Sequence, residues 1–187
     1  MPSAKRVLVI TGVPGTGKTT LADRIAKRVG DAEAVHITEL VKAKRLFSGV
    51  SKQGELIVET DRLRRELERI IARSVQSVVI IEGHLLCDIS VRGAMVLVLR
   101  EHLPVLAERL KRRGYSLEKV SKNVIDEALD YCGMHSGNHY ASVFESFCSD
   151  RRLMENVRRL LHGQKVCGSI DLMPELYTMI SKGGLSL

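Results

Sequence analysis

The sequence predicts an α/β fold in which a doubly wound parallel sheet carries helices on both faces. Three observations lead there. Apolar runs of strand length alternate with stretches of helical periodicity. The apolar runs are continuous, as strands buried on both faces require. A glycine-rich segment joins the first such run to the first amphipathic helix.

The first run is Arg6-Val-Leu-Val-Ile-Thr11. A helix follows over Thr20 to Arg28, with Leu21, Ile25 and Val29 on one stripe. Thr38 is placed to cap a short helix reaching Lys44. Thr60 precedes a longer one in which Leu63, Leu67, Ile70 and Ile71 recur at helical spacing. Val78 to Glu82 and Ala94 to Arg100 are the next buried strands. Pro104 suits the first position of a helix running to Arg113, and Gly114 ends it. A helix from Leu117 to Tyr131, a strand from Ser142 to Cys148 and a helix from Asp150 to Leu161, closed by Gly163, complete the alternation. Ser48 to Glu55 and Gly133 to Asn138 are polar and turn-rich, and are expected to be mobile loops. The tail from Gly168 is weakly patterned, with fraying expected at Lys182-Gly-Gly184.

Bulk properties set limits. A chain of 187 residues with 44% hydrophobic and 27% charged residues suits a single globular domain over 1–187. The net charge of +7 favours polyanionic partners such as nucleotides, RNA or acidic protein surfaces. No apolar run approaches twenty residues and no signal segment is visible, so a cytoplasmic protein without membrane contact is expected. Cys87, Cys132, Cys148 and Cys167 form no C-x-x-C pair and are read as reduced thiols.

Gly12-Val-Pro-Gly-Thr-Gly-Lys-Thr19 matches G-x-x-x-x-G-K-[ST], the phosphate-binding P-loop. Gly12, Gly15 and Gly17 let the backbone turn tightly and aim N–H groups at phosphate oxygens. Thr16 and Thr20 flank the lysine within the same cradle. Lys18 supplies a cation for the β and γ phosphates, and the Thr19 hydroxyl is a Mg²⁺ ligand. ATP with Mg²⁺ is the expected cargo. The segment lies between a buried strand and an amphipathic helix, the context that gives the pattern meaning.

An acid at a neighbouring strand end completes such sites, and Glu82 ends the second strand, with His84 two residues on. Glu82 is expected to orient Mg²⁺ and His84 to face the acceptor or a water molecule. The bland alternative is a solvated strand end, and Asp88 is a second carboxylate nearby. Arg109 and Arg113, four apart at the end of a helix, suit a clamp on the transferring phosphoryl group, and Arg113 also a grip on ATP. A solvated basic helix end, favoured by the helix dipole, explains them equally well. His135 and His139 have the spacing of a helical metal pair but lack an evident third ligand. The pairs Arg64-Arg65, Arg151-Arg152 and Arg158-Arg159 are of a type usually solvated, with RNA as the other reading. No N-K-x-D base-reading motif and no L-S-G-G-Q signature is present, which argues against a GTPase and a transporter ATPase.

From the first strand to about Glu127 the chain resembles the archaeal and eukaryotic adenylate-kinase-like ATPases of small-ribosomal-subunit assembly, the coilin-interacting nuclear ATPase type. The resemblance rests on Gly12 to Thr20, Arg45-Leu-Phe-Ser-Gly49, Thr60-Asp-Arg-Leu63, Glu82-Gly-His84 with Cys87-Asp88, Val98-Leu-Arg100 and Arg109 to Tyr115. It implies a nucleoside monophosphate kinase fold with a five-stranded sheet, a monophosphate-binding insert around 37–57 and a short lid around 112–122. It implies phosphoryl transfer from ATP to AMP or another nucleoside monophosphate, with slow ATP hydrolysis. Lys42, Arg45 and Asp61 would then belong to the monophosphate site. Its implied partner is a platform ribosomal protein of the S-eleven type, and the basic charge adds pre-ribosomal RNA as a candidate partner. The family's strand-end motif usually reads Asp-x-His where this chain has Glu82-Gly-His84. Its monophosphate arginine falls at Lys42, which lacks the bidentate fork.

Overall fold

The computed structural model describes residues 5–52, 54–166 and 168–183. Its frame is a five-stranded parallel sheet in the order β2-β5-β1-β6-β7. The strands are β1 (Arg6–Thr11), β2 (Ala32–His36), β5 (Val78–Glu82), β6 (Ala94–Arg100) and β7 (Val143–Phe147). Between β2 and β5 a separate antiparallel pair forms from β3 (Phe47–Val50) and β4 (Leu56–Val58).

Side chains alternate across the sheet, which produces two cores. Val7, Val9, Val79, Ile81, Val96 and Val98 face one layer. That layer contains α3 (Thr60–Arg73), α4 (Leu103–Arg112), α5 (Leu117–Ala128), α6 (Tyr131–His139) and α8 (Met173–Ser181). Leu8, Ile10, Val78, Ile80, Leu97 and Leu99 face the other, where α1 (Lys18–Val29) and α7 (Leu153–Leu161) pack. All five residues of β5 are buried, so its apolar run reflects cover on both faces. Among the described residues no helix is long and apolar enough to cross a membrane.

Several local expectations change. β2 is an edge strand whose Ala-Glu-Ala-Val-His sequence lacks an apolar run, because one of its sides meets no neighbour. Ser48 to Glu55 is not a simple loop: its first half lies in β3, and Ser51 N–H donates to the Glu55 carbonyl at 2.7 Å to close the turn. Gly133 to Asn138 is helical within α6, despite two glycines that disfavour a helix by about 1 kcal/mol each. Packing of the buried Cys132 and Ser136, and the Asp130 carboxylate accepting from Gly133 N–H at 3.2 Å, hold it.

α5 stops at Ala128 and not at Tyr131, because Asp130 takes a left-handed φ of 54°. α2 (Ile37–Ala43) starts before Thr38, with His36 at the capping position. Thr60 is the first residue inside α3 and not its cap, and α4 begins at Leu103, one residue ahead of Pro104. α7 begins at Leu153, after a turn in which the Asp150 carboxylate accepts from Arg152 N–H at 2.8 Å. The tail forms α8, whose Glu175 caps α4 by accepting from Leu103 N–H at 2.9 Å. Cys87, Cys132 and Cys148 are free thiols, while Cys167 and Gly184 lie outside the described residues.

Candidate functional site

The glycine-rich loop connects β1 to α1 above the strand ends. A Cβ on Gly12, which has a φ of +141°, would lie 2.4 Å from the Leu99 carbonyl oxygen, so the loop can pass β6 only as glycine there. Thr16 is turned inward, its hydroxyl donating to the Val13 carbonyl at 3.2 Å. Lys18 is only 8% exposed, and its Nζ donates to the same carbonyl at 2.9 Å. Burial lowers the Lys18 pKa, against the opposing pull of Glu82. The ammonium is thus stored under the loop with one hydrogen-bond acceptor among the described residues, in a place where an anion would add to its partners.

Register delivers the carboxylate. β1 and β5 pair so that Ile10 lies beside Glu82, and β2 and β5 pair so that His36 lies beside Glu82 from the other side. Glu82 Oε1 accepts from Thr19 Oγ1 at 3.1 Å and meets His36 Nδ1 at 3.1 Å. His36 Nε2 lies 3.2 Å from Asp23 Oδ1 on α1. Asp23, His36, Glu82 and Thr19 therefore form one continuous line of polar contacts. His36 was not visible as a site residue, because only the lateral register of a strand absent from the sequence reading brings it there.

A 3-10 turn, His84–Cys87, follows Gly83. A Cβ on Gly83 would come within 2.7 Å of Ile37 Cβ, so the strand end and the root of α2 touch. Thr11 Oγ1 donates to the His84 carbonyl at 3.1 Å, and His84 Nδ1 meets the Gly12 carbonyl at 3.2 Å. Burial, then the charge of Lys18, holds His84 below the usual histidine pKa.

These groups surround a cavity of about 260 Å³ lined by Gly15, Gly17, Lys18, Thr19, Thr20, Thr38, Glu82, His84, Arg113 and Tyr115, among others. It combines cations, hydroxyls and the N-terminus of α1, a combination suited to phosphate. Larger hollows of about 460 Å³ between α1 and α7, and about 630 Å³ beside Arg92 and Tyr140, lack such a cradle.

The two arginines separate. Arg113, just past α4, lines the cavity. Arg109 Nη1 instead lies 2.6 Å from Glu101 Oε2 and donates to the Gly15 carbonyl at 3.2 Å, bracing the loop. Lys42 and Arg45 are exposed on and beside α2, and Asp61 pairs with Arg64 at 3.5 Å. None of these three is among the described residues lining the cavity. Asp88 is engaged by His135 Nδ1 at 2.6 Å and by the Tyr131 hydroxyl at 3.3 Å. His135, stacked on Tyr131, is occupied there and joins no ligand group with His139 among the described residues.

Two contacts hold the surroundings together. Glu55, beyond β3, receives a hydrogen bond from Lys119 Nζ of α5 at 2.6 Å, and Lys119 sits over the ring of Tyr115. Arg100, 1% exposed at the end of β6, contacts Glu127 at 3.0 Å, Asp130 at 2.5 Å and Glu145 at 2.7 Å. Burial lowers the Arg100 pKa, but the three carboxylates more than offset this and the net shift is upward. Burial raises all three carboxylates in spite of the guanidinium.

A family model described as an AAA domain matches residues 8–130. A Methanosarcina barkeri protein named "Putative adenylate kinase" is 32% identical over 152 residues, 81% of this chain and 81% of that protein. A Pyrococcus furiosus protein of the same name is 33% identical over 156 residues, 83% of this chain and 82% of that protein. In fold, the chain is similar to shikimate kinase from Bacteroides thetaiotaomicron, with a TM-score of 0.57 at 19% identity, over 84% of this chain and 97% of that one. That likeness concerns the fold alone and agrees with a P-loop α/β architecture. By the matched domain and by its archaeal relatives, the chain belongs to the adenylate-kinase-like P-loop family.

Proposed function

We propose that the protein is a nucleoside monophosphate kinase that transfers the γ-phosphoryl group of ATP to AMP, with slow ATP hydrolysis beside it. The observation that carries the reading is the convergence of Lys18, Thr19, Glu82, His84 and Arg113 on one cavity at the mouth of the glycine-rich loop. Its relatives' names point the same way.

Lys18 and the loop N–H groups hold the ATP phosphates, with Gly12, Gly15, Thr16 and Gly17 shaping the loop and Thr20 on its rim. The Thr19 hydroxyl and the Glu82 carboxylate are hard oxygen donors 3.1 Å apart, which fits Mg²⁺. Bound Mg²⁺ would neutralise charge on the phosphates. Arg113 stabilises charge on the transferring group, and Arg109 fixes the loop that Arg113 works against. His84 orients the acceptor phosphate or a water molecule. An AMP phosphate oxygen attacks the γ phosphorus as the bond to the β-phosphate oxygen breaks, giving two ADP. The segment 37–57, with Lys42 and Arg45, and Asp61 on α3 form the acceptor side, and 112–122 the lid over it.

The sequence blocks shared with ribosome-assembly ATPases and the net charge of +7 favour a second role, binding to a small-subunit ribosomal protein and pre-ribosomal RNA. A coupled assay of ADP formation with each nucleoside monophosphate tests the first reading. AMP is expected to stimulate ADP formation most. ADP formation indifferent to every monophosphate but altered by the ribosomal protein would overturn it in favour of a nucleotide-switched assembly factor.

A further inference from the structure

Beneath the phosphate cavity, the 3-10 turn His84–Cys87 lies against the start of α6. A ring nitrogen of His84 and the sulfurs of Cys87 and Cys132 all lie within 4.8 Å of one another. Cys132 Sγ is 3.6 Å from His84 Nδ1. With ordinary zinc–sulfur and zinc–nitrogen bond lengths, two ligands of a tetrahedral site stand about 3.6 Å apart for N and S, and about 3.8 Å for S and S. The His84–Cys132 pair already stands at that spacing, and the pairs with Cys87, within 4.8 Å, need a contraction of about 1 Å or less.

We propose that His84, Cys87 and Cys132 form a binding site for a borderline-soft divalent cation of the zinc class, distinct from the Mg²⁺ site at Thr19 and Glu82. Two sulfurs and one imidazole select against Mg²⁺, which prefers oxygen. Cys87 is fully buried and Cys132 is 2% exposed, while His84 lines the phosphate cavity. The histidine thus joins the site to the cavity, the route by which a cation can enter.

Binding releases both thiol protons to solvent, so the two thiolates neutralise the cation and no net charge is buried. Cys87 Sγ donates to the His84 carbonyl at 3.0 Å. Losing that donor leaves the carbonyl served by Thr11 Oγ1 at 3.1 Å. The ligating nitrogen is His84 Nδ1, so binding also moves its proton to Nε2 and releases the 3.2 Å contact with the Gly12 carbonyl, at the first residue of the glycine-rich loop.

The test is a Co²⁺ titration of the full chain, kept reduced with a phosphine and free of nucleotide. The expected result is one equivalent bound, with tetrahedral visible bands and a sulfur-to-cobalt charge-transfer band, displaced by one equivalent of Zn²⁺. Cys87→Ala and Cys132→Ala are expected to weaken or remove that band. His84→Asn, a change on the cavity wall, is expected to weaken binding at least about ten-fold. It keeps the test decisive where a thermal melt finds a buried-cysteine variant unfolded. Cys148→Ala is expected to leave the spectrum unchanged. An octahedral spectrum without a thiolate band, or a thiolate band unaltered in His84→Asn and lost in Cys148→Ala, overturns the site.

Discussion

Thr19 Oγ1 and Glu82 Oε1 are joined by a 3.1 Å hydrogen bond, so the first turn of α1 and the last residue of β5 meet at one point. Glu82→Gln removes the negative charge while keeping an acceptor. Both AMP phosphorylation and ATP hydrolysis are expected to fall about 10- to 100-fold, with the larger loss at low Mg²⁺. Steady-state assays over a Mg²⁺ series check this. Unchanged rates would move the orienting role elsewhere.

Lys18→Ala is expected to lower turnover by about 100-fold or more. Lys18 Nζ has the Val13 carbonyl as its hydrogen-bond acceptor, and the chain above it is held by glycine geometry and by Thr16. The thermal melt is therefore expected to stay close to that of the parent. Turnover and melting measured on the same preparation separate lost chemistry from lost fold.

Arg113 and Arg109 are expected to give different kinetic signatures. Arg113→Ala, at the cavity wall, lowers kcat more than it raises KM for ATP. Arg109→Ala removes the brace on the Gly15 carbonyl and strands Glu101, so it raises KM for ATP and also lowers stability. Identical signatures would contradict this division.

His84→Gly is expected to change the ratio of AMP phosphorylation to ATP hydrolysis more than it changes ATP affinity. The ring meets the loop at the Gly12 carbonyl, and the residue lines the cavity. Parallel assays with a Kd for ATP check this, in the presence of a chelator selective for zinc-class cations. Equal losses in both activities and in affinity would make the residue structural.

Asp130→Asn tests the Arg100 cluster through pH. Burial raises the Asp130 carboxyl above its unfolded value of 3.8. The folded state thus holds this proton to higher pH than the unfolded chain does. The resulting contribution to stability is full below about 3.8 and is lost as pH rises through the folded pKa. Asparagine stays neutral and tolerates the left-handed φ of 54°. The variant is expected to lose less stability than the parent as pH rises from about 4 to 7. Urea unfolding across that window reads the difference, and parallel curves would refute it.

What could be read in the sequence had local or strongly buried causes. The glycine-rich loop is legible because eight consecutive residues carry its chemistry, and Glu82 because it ends an apolar run. β2 was missed because an edge strand needs no such run, and His36 was missed with it. α6 hid behind Gly133 and Gly137, whose helical state comes from the contacts of Cys132 and Asp130. The unlike environments of Arg109 and Arg113 also escaped the sequence, since helical spacing places both on one side but does not reveal that Glu101 waits beside one of them.

The Lys119–Glu55 contact acts as a salt-sensitive clasp. It joins α5 to the β3–β4 turn beside Tyr115, a wall residue of the phosphate cavity. Each partner shifts the other, with the hydrogen bond to Lys119 lowering Glu55 and the reciprocal bond raising Lys119. Both ends are largely open to water, so undoing the pair costs about 1 kcal/mol or less. A bolt that weak is within a few multiples of thermal energy. Its strength follows ionic strength, so the hold of α5 on the β3–β4 turn is set partly by the surrounding solution and not only by the protein's own groups.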